Sequence, residues 1–191
     1  MESLRRLIAI LDVLVHTEAS LGVTEIARRV HLSKATTYRL LKTLTSHGLV
    51  REQDPGPTYG PGFRILELAG AWLDRLDIRA KALPILRDLR EKTGETVSLN
   101  LLAGPQRVAV ERLEAPHEVR FVVDLGRQLP LHQGATGKVL LAHLPPEEQQ
   151  RILRTVEPRR RRKLATELGE IRARGTAVSF GERIPGSASV S

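Results

Sequence analysis

Residues 24–50, TEIARRVHLSKATTYRLLKTLTSHGLV, decide the fold of the N-terminal part of the chain. The spacing of the apolar residues predicts a short helix from Thr24 to Val30 and a longer helix from Lys34 to His47. Between them, His31 is expected to take a left-handed backbone, which histidine tolerates better than a β-branched residue does. Two short helices joined by such a turn are typical of a helix-turn-helix. An ordinary helical hairpin with a basic face is the alternative.

Three residues are expected to fix the ends of these helices. Thr24 is predicted to cap the first helix through its hydroxyl, and Ser33 is predicted to cap the second. Gly48 follows the second helix at the position where helices favour glycine.

The outward face of the longer helix is rich in cations and hydrogen-bond donors. No carboxylate occurs between Glu25 and Glu52, which suits a surface that meets phosphates. Backbone phosphate contacts are expected from the cations, and base-edge contacts from the hydroxyls and Arg39. The predicted DNA-binding residues are Thr24, Ser33, Lys34, Thr36, Thr37, Tyr38, Arg39, Lys42 and Arg51.

The flanking segments complete a small DNA-binding domain over residues 1–62. Helical spacing predicts an amphipathic helix over residues 3–16 that packs on the helix pair. After the helix pair, a strand over residues 49–51, turn residues 54–57 and a returning strand over residues 58–59 are typical of a wing.

Residues 63–76 are predicted to form a linker helix that is apolar on more than one face. Such a helix needs a second surface to bury it, and we expect a partner subunit. Packing within one subunit is the alternative.

Residues 77–191 are predicted to form an α+β domain built on an antiparallel sheet. The expected elements are a helix over residues 77–92 that is interrupted or restarts at Pro84, strands near residues 97–101, 108–110 and 119–123, helices over residues 147–153 and up to Arg174, and strands at residues 176–180 and from residue 187.

The segment from Leu129 to Leu144 indicates a ligand site in this domain. Its irregular part ends in Gly134–Gly137 and leads into a helix, whose free N–H groups and positive dipole end favour an anion such as a carboxylate. His132 and Thr136 are expected to add hydrogen bonds. A glycine-containing loop capped by Thr136 is the alternative, and the spacing of a phosphate-binding P-loop is absent.

Composition limits the function classes. The chain has no cysteine, which excludes disulfides, thiolate metal sites and thiol catalysis and fits a reducing compartment. No apolar run approaches membrane-spanning length and no signal peptide is evident, so a cytoplasmic protein without membrane contact is expected.

Residues 1–62 hold eight Lys and Arg against six Asp and Glu, so most of the net charge of +8 lies elsewhere, including the five cations of residues 159–163. We interpret that run as a solvated face, with a DNA contact as the less favoured alternative. Local placement, and not total charge, therefore carries the DNA prediction.

Five motifs, in this order, resemble those of the IclR family of bacterial transcriptional regulators over essentially the whole chain. They are residues 24–50, GFRILELAGAWL at 62–73, TGETVSLNLL at 93–102, PLHQGATGKVLLAHLP at 130–145 and IRARGTAVSFGERIPGSASV at 171–190. The resemblance implies a winged helix-turn-helix joined to a GAF-like effector domain, assembly into dimers or tetramers, and an operator as partner. It also implies a small organic acid as effector. No cofactor and no metal site are predicted.

The resemblance also assigns an effector site and shows where this chain departs from the family. The expected effector-binding residues are Leu99, His132, Ala135, Thr136, Gly137, Glu182 and Ser189. Ala35 replaces a hydroxyl common at its position, so sequence preference is expected to differ. Ser179 and Phe180 stand where some members carry an acidic residue, which argues against a glyoxylate-like ligand and is compatible with a larger or aromatic acid. The chain ends several dozen residues before the usual C-terminus, so we expect an incomplete sheet and pocket, as in a fragment, a frameshifted gene or a natural short form.

Three functions follow from the sequence. The leading hypothesis is a ligand-responsive DNA-binding regulator, in which effector binding changes the spacing of two DNA-binding domains through the linker helices. An effector-insensitive DNA-binding short form is the second. An enzyme that uses His132 and Glu182 as an acid/base pair is the third, and no nucleophile or metal motif supports it, so we expect no enzymatic activity.

Overall fold

The computed structural model describes residues 2–53 and 56–191. The chain divides into two compact units, Met1–Leu76 and Asp77–Ser191. Among the described residues, every helix is too short or too polar to cross a membrane.

The first unit is a winged helix-turn-helix, as predicted. Its elements are α1 (Glu2–Val15), β1 (Leu21–Gly22), α2 (Val23–Arg29), α3 (Lys34–Ser46), β2 (Val50–Gln53), β3 (Thr58–Pro61) and α4 (Phe63–Leu73). The strands form an antiparallel sheet in the order β1-β3-β2. The predicted turn at residues 54–57 falls partly on Asp54 and Pro55, which lie outside the described residues. The core between the helices and the wing contains Ile10, Leu14, Ile26, Leu41, Leu44, Val50 and Tyr59.

One of the predicted helix caps of α2 and α3 differs from the structure. α2 begins at Val23 with Gly22 as its N-cap, and no side chain among the described residues makes a capping hydrogen bond there. The predicted cap by Thr24 is therefore wrong, because β1 runs directly into the helix and places Thr24 inside its first turn. The other features are confirmed: His31 has φ 54° and Gly48 has φ 71°, and Ser33 accepts a hydrogen bond from the backbone N–H of Thr36.

The second unit contains antiparallel strands and helices, as predicted. Its elements are α5 (Asp77–Thr93), β4 (Val97–Ala103), β5 (Gln106–Leu113), β6 (Gln128–Pro130), α6 (Gly134–Ala142), α7 (Pro146–Thr155), α8 (Pro158–Arg174), β7 (Val178–Phe180) and β8 (Ala188–Val190). The strands pair in the orders β4-β5-β6 and β7-β8. The helices α6, α7 and α8 share one core, which includes Leu131, Leu141, Leu164, Leu168 and Ile171.

Two predicted features of this unit are wrong. Residues 119–123 are not a strand, and β6 at Gln128–Pro130 takes the third place in the sheet. The carbonyl of Val123 instead accepts a hydrogen bond of 2.6 Å from the Arg112 side chain, so a side chain and not a ladder holds this segment. The helix α5 runs unbroken through Pro84, whose side chain is exposed and whose ring therefore lies on the solvent side.

Candidate nucleic-acid interface and ligand site

The start of α3 is organised by two hydroxyls. The Ser33 Oγ accepts from the Thr36 backbone N–H at 3.2 Å and donates to the Thr36 Oγ1 at 2.9 Å. This capping pair fixes the first turn of the helix. The side chains of Lys34, within this first turn, and of Tyr38 and Arg39, after it, are exposed.

Thr37 does not belong to this outward surface. It is fully buried, and its hydroxyl donates to the Ser33 carbonyl at 3.0 Å. The prediction that Thr37 reaches a base edge is therefore wrong, because its position faces the helix pair and its hydroxyl is already used.

Lys42 has an acidic neighbour that comes from the wing. Its Nζ lies 3.4 Å from the Glu52 Oε2 and 5.5 Å from the centroid of the Tyr38 ring. The carboxylate of Glu52 raises the pKa of Lys42. The sequence between Glu25 and Glu52 contains no carboxylate, but the outward face of α3 is not free of negative charge, because the wing places Glu52 beside Lys42.

The cations of α2 are paired as well. Glu25 Oε1 lies 2.8 Å from Arg28 and 2.7 Å from Arg29. Hydrogen bonds from Arg28 and then Arg29 lower the pKa of Glu25 to about 2. Among the residues that the structure describes, Lys34 and Arg39 are the cations of α3 without a carboxylate within 4 Å.

The remaining predicted DNA contacts are accessible. Thr24 is exposed on α2, and Arg51 is exposed on β2. The Arg51 guanidinium lies 5.5 Å from the centroid of the Phe63 ring, a cation–π distance that restrains its position beside the wing.

The start of α6 carries a carboxylate from the protein itself. The Gly134 backbone N–H donates to Glu182 Oε2 at 3.0 Å. The other oxygen of Glu182 lies 2.5 Å from the Lys138 Nζ, which also lies 2.6 Å from Glu167. One of the helix N–H groups predicted to bind an external anion is therefore already used.

Lys138 and Glu182 are held in their charged forms. Burial favours the neutral form of Lys138, but hydrogen bonds with Glu167 and Glu182 outweigh it and raise the pKa of Lys138. Burial likewise opposes ionisation of Glu182, yet the hydrogen bonds from Lys138 and from the Gly134 N–H lower the pKa of Glu182. The pair is a charged link between α6 and the loop after β7.

A cavity of about 510 Å³ lies beside this link. His132 and Glu182, two of the predicted effector residues, line it together with Lys138, Arg159 and Arg160. Burial, and then the positive charge of Arg160, lower the pKa of His132. Lys138 is a functional residue that was not predicted from the sequence, although a single lysine within the apolar helix α6 is a signal for a buried ion pair.

The other predicted effector residues are not among the residues that line this cavity. Ala135 is fully buried in the core, and a Cβ at Gly137 would lie 2.7 Å from the Leu131 carbonyl oxygen, so close packing requires this glycine. The Thr136 and Ser191 hydroxyls lie 2.8 Å apart. Leu99 lies on β4 and Ser189 on β8, and neither lines the cavity.

The folds of the two units define a winged helix-turn-helix protein with a second, antiparallel-sheet domain. The family model for the IclR helix-turn-helix domain matches residues 3–54, and the model for the C-terminal domain of the bacterial transcriptional regulator IclR matches residues 70–191. The chain therefore belongs to the IclR family.

Known relatives agree with this assignment. The chain is 34% identical to the HTH-type transcriptional regulator XynR of Escherichia coli K12 over 152 residues. This aligned region covers 80% of this chain and 60% of XynR. The crystal structure of an IclR transcriptional regulator from Alicyclobacillus acidocaldarius is similar with a TM-score of 0.83 at 29% identity, covering 100% of this chain and 80% of that one.

A second solved structure, at a lower sequence identity, is similar in fold. It is an IclR homologue from Microbacterium hydrocarbonoxydans in complex with 4-hydroxybenzoate, with a TM-score of 0.85 at 24% identity, covering 98% of this chain and 81% of that one.

Proposed function

We propose that this protein is a DNA-binding transcriptional regulator whose second unit responds to a small organic acid. The observation that carries the proposal is the outward face of α3, where Lys34 and Arg39 stand exposed beside the Ser33–Thr36 cap. Lys34 would contact the phosphate backbone, and Arg39 would reach a base edge in the major groove. Such a protein acts in the cytoplasm, where its operator lies.

The proposal is tested with DNA from the regions upstream of the genes that flank its own. Fluorescence anisotropy with labelled fragments should show one fragment bound with a dissociation constant well below that of a scrambled competitor. Equal affinity for all fragments at several salt concentrations would contradict sequence-specific regulation.

We propose that a second copy of the chain covers α4. None of its side chains is buried, and Phe63 and Leu66 are 76% and 70% exposed. An apolar helix that is this exposed favours association, and two copies of the same helix can form a symmetric interface. Light scattering should give a dimer or tetramer for the wild type and a smaller species for Leu66→Asp. The same change at an exposed α5 position, Arg87→Asp, is the control.

We further propose that the second unit binds its acid without turning it over. His132 and Glu182 both line the cavity, as the members of an acid/base pair would. However, Lys138 holds Glu182 as a carboxylate and lowers its pKa, which makes it a poor general base.

Thermal-shift screening separates the functions. An acid that raises the melting temperature and is recovered unchanged supports a sensor. A converted acid supports an enzyme, and the absence of any shift supports an effector-insensitive DNA-binding protein.

A further inference from the structure

Arg107 is a buried cation with too few partners. It lies on β5 and is 5% exposed. Its Nη1 donates to the Asn100 Oδ1 at 2.7 Å, while its Nε has no hydrogen-bond partner in the part of the chain that the structure describes. Among residues 2–53 and 56–191, no carboxylate oxygen lies within 4 Å of its guanidinium.

A second arginine approaches the same place at the start of α6. A Cβ built on Gly134 would lie 3.7 Å from the Arg107 Nη2 and 3.5 Å from the Arg183 Cδ. Gly134 is the first residue of α6 and therefore lies at the positive end of the helix dipole. Two arginine side chains and a helix start thus converge on one backbone position.

The nearby carboxylates are already used by other cations. Glu182 binds Lys138 and the Gly134 N–H, and Asp124 pairs with Arg127 at 2.9 Å. Burial, followed by the repulsion from Arg183, lowers the pKa of Arg107 to about 10. Burying a guanidinium without a counter-charge destabilises the folded protein.

A bound anion removes this imbalance. An arginine guanidinium presents parallel N–H donors that match the two oxygens of a carboxylate. The Arg107 Nε and Nη2 lie on one edge of the guanidinium, and that edge is not used for Asn100. We propose that Arg107 and Arg183 form a carboxylate-binding site at the start of α6, separate from the Glu182–Lys138 link. This inference rests on the proposed function, since it names the residues that hold the acid group of the effector.

The proposed site has a testable consequence for the melting temperature of the ligand-free protein. Replacing Arg107 by Met keeps the length of the side chain and removes the uncompensated charge. If Arg107 serves a ligand, Arg107→Met should raise the melting temperature of the free protein by about 2–4 °C. If Arg107 serves the fold through Asn100, the melting temperature should fall, and this result would overturn the proposal.

The binding test uses the full chain with acetate, as the smallest carboxylate, and with 4-hydroxybenzoate. Calorimetry at constant ionic strength should show that an acid binds the wild type, and that the neutral 4-hydroxybenzamide binds at least tenfold more weakly. Arg107→Met and Arg183→Met should each weaken acid binding at least tenfold. Arg107→Lys should fall between, because it keeps the charge and loses the paired donors. The matched control is Arg87→Met, which changes an exposed arginine of α5 and should bind like the wild type.

Two results of the binding test would also overturn the site. Equal acid binding by the wild type and Arg107→Met would do so while leaving the proposed sensor function intact. Failure of both acids to bind the wild type would overturn the site together with the ligand-binding part of the proposed function. DNA affinity of ligand-free Arg107→Met should equal that of the wild type, so a failure of the DNA-binding proposal is read separately.

Discussion

The Nζ of Lys42 on α3 lies 3.4 Å from the Oε2 of Glu52 on β2. The wing thus places a carboxylate on the face of α3 that we propose meets DNA. Both side chains are about half exposed to solvent, so the ion pair contributes little to stability. Its main effect is on charge, because Glu52 offsets Lys42 and repels phosphate.

Removal of that carboxylate should strengthen DNA binding. In Glu52→Gln, Lys42 becomes available to a phosphate, and we expect operator affinity to rise about threefold to tenfold, with a salt slope about one unit steeper. Anisotropy titrations between low and moderate salt measure both quantities. Glu18→Gln, which removes an exposed carboxylate outside α3 and the wing, is the control. Weaker binding by Glu52→Gln would show that Glu52 positions Lys42 instead of competing for it.

The Tyr59 hydroxyl is expected to destabilise the first unit. Tyr59 is buried, and its oxygen has no hydrogen-bond partner among the residues that the structure describes. Burial, and then the negative charge of Glu52, raise the pKa of Tyr59. Tyr59→Phe removes the unpaired group and keeps the ring, so we expect a gain of about 1 kcal/mol in the free energy of unfolding. Urea denaturation measures it, and the exposed Tyr38→Phe should change the free energy by less than about 0.5 kcal/mol. A loss of stability in Tyr59→Phe would show that the hydroxyl has a partner.

The link between α6 and the loop after β7 should be essential to the second unit. Lys138→Met leaves Glu167 and Glu182 without their shared cation, and we expect a loss of about 3–5 kcal/mol. Lys81→Met, on the exposed face of α5, should change the free energy by less than about 0.5 kcal/mol. Chemical denaturation followed by circular dichroism gives both values. A loss below 1 kcal/mol for Lys138→Met would mean that the pair does not hold α6.

The same link should make stability depend on pH at both extremes. Because the pKa of Glu182 in the folded protein is below its usual 4.5, its contribution is present above pH 4.5 and is lost as the pH falls through the folded value. Because the pKa of Lys138 is above its usual 10.5, its contribution is present below pH 10.5 and is lost as the pH rises through the folded value.

The double variant Lys138→Met/Glu182→Gln tests this dependence. The difference in unfolding free energy between the wild type and the variant should be constant from about pH 5 to pH 10 and should shrink outside that range. A difference that stays constant down to pH 3 would contradict the assignment of these pKa shifts to the pair.

Local sequence signals predicted much of the fold. Ser33, His31 and Gly48 act through their own backbone and nearest neighbours, so their roles follow from the sequence alone. β1 was missed because it has two residues, too few to show a period. Residues 119–123 have the composition of a strand, but strand pairing depends on distant residues, and β6 takes the place at the edge of β5.

The charged groups were predicted less well because their partners come from other elements. Glu52 reaches Lys42 from the wing, and Glu167 and Glu182 reach Lys138 from α8 and from the loop after β7. Nothing in the sequence indicated that Arg107 is buried, since an arginine within a strand is usually exposed. Such pairings become visible only when the fold brings separate segments together.

The operator affinity of Arg39→Ala tests the central claim most directly. Arg39 is exposed on α3, and we expect its loss to weaken binding by about 1–3 kcal/mol and to relax preference at one base position. Arg5→Ala, an exposed arginine of α1, is the control, and circular dichroism checks that both variants fold. A dissociation constant for Arg39→Ala equal to that of the wild type, with sequence preference unchanged, would contradict the assignment of α3 as the recognition helix.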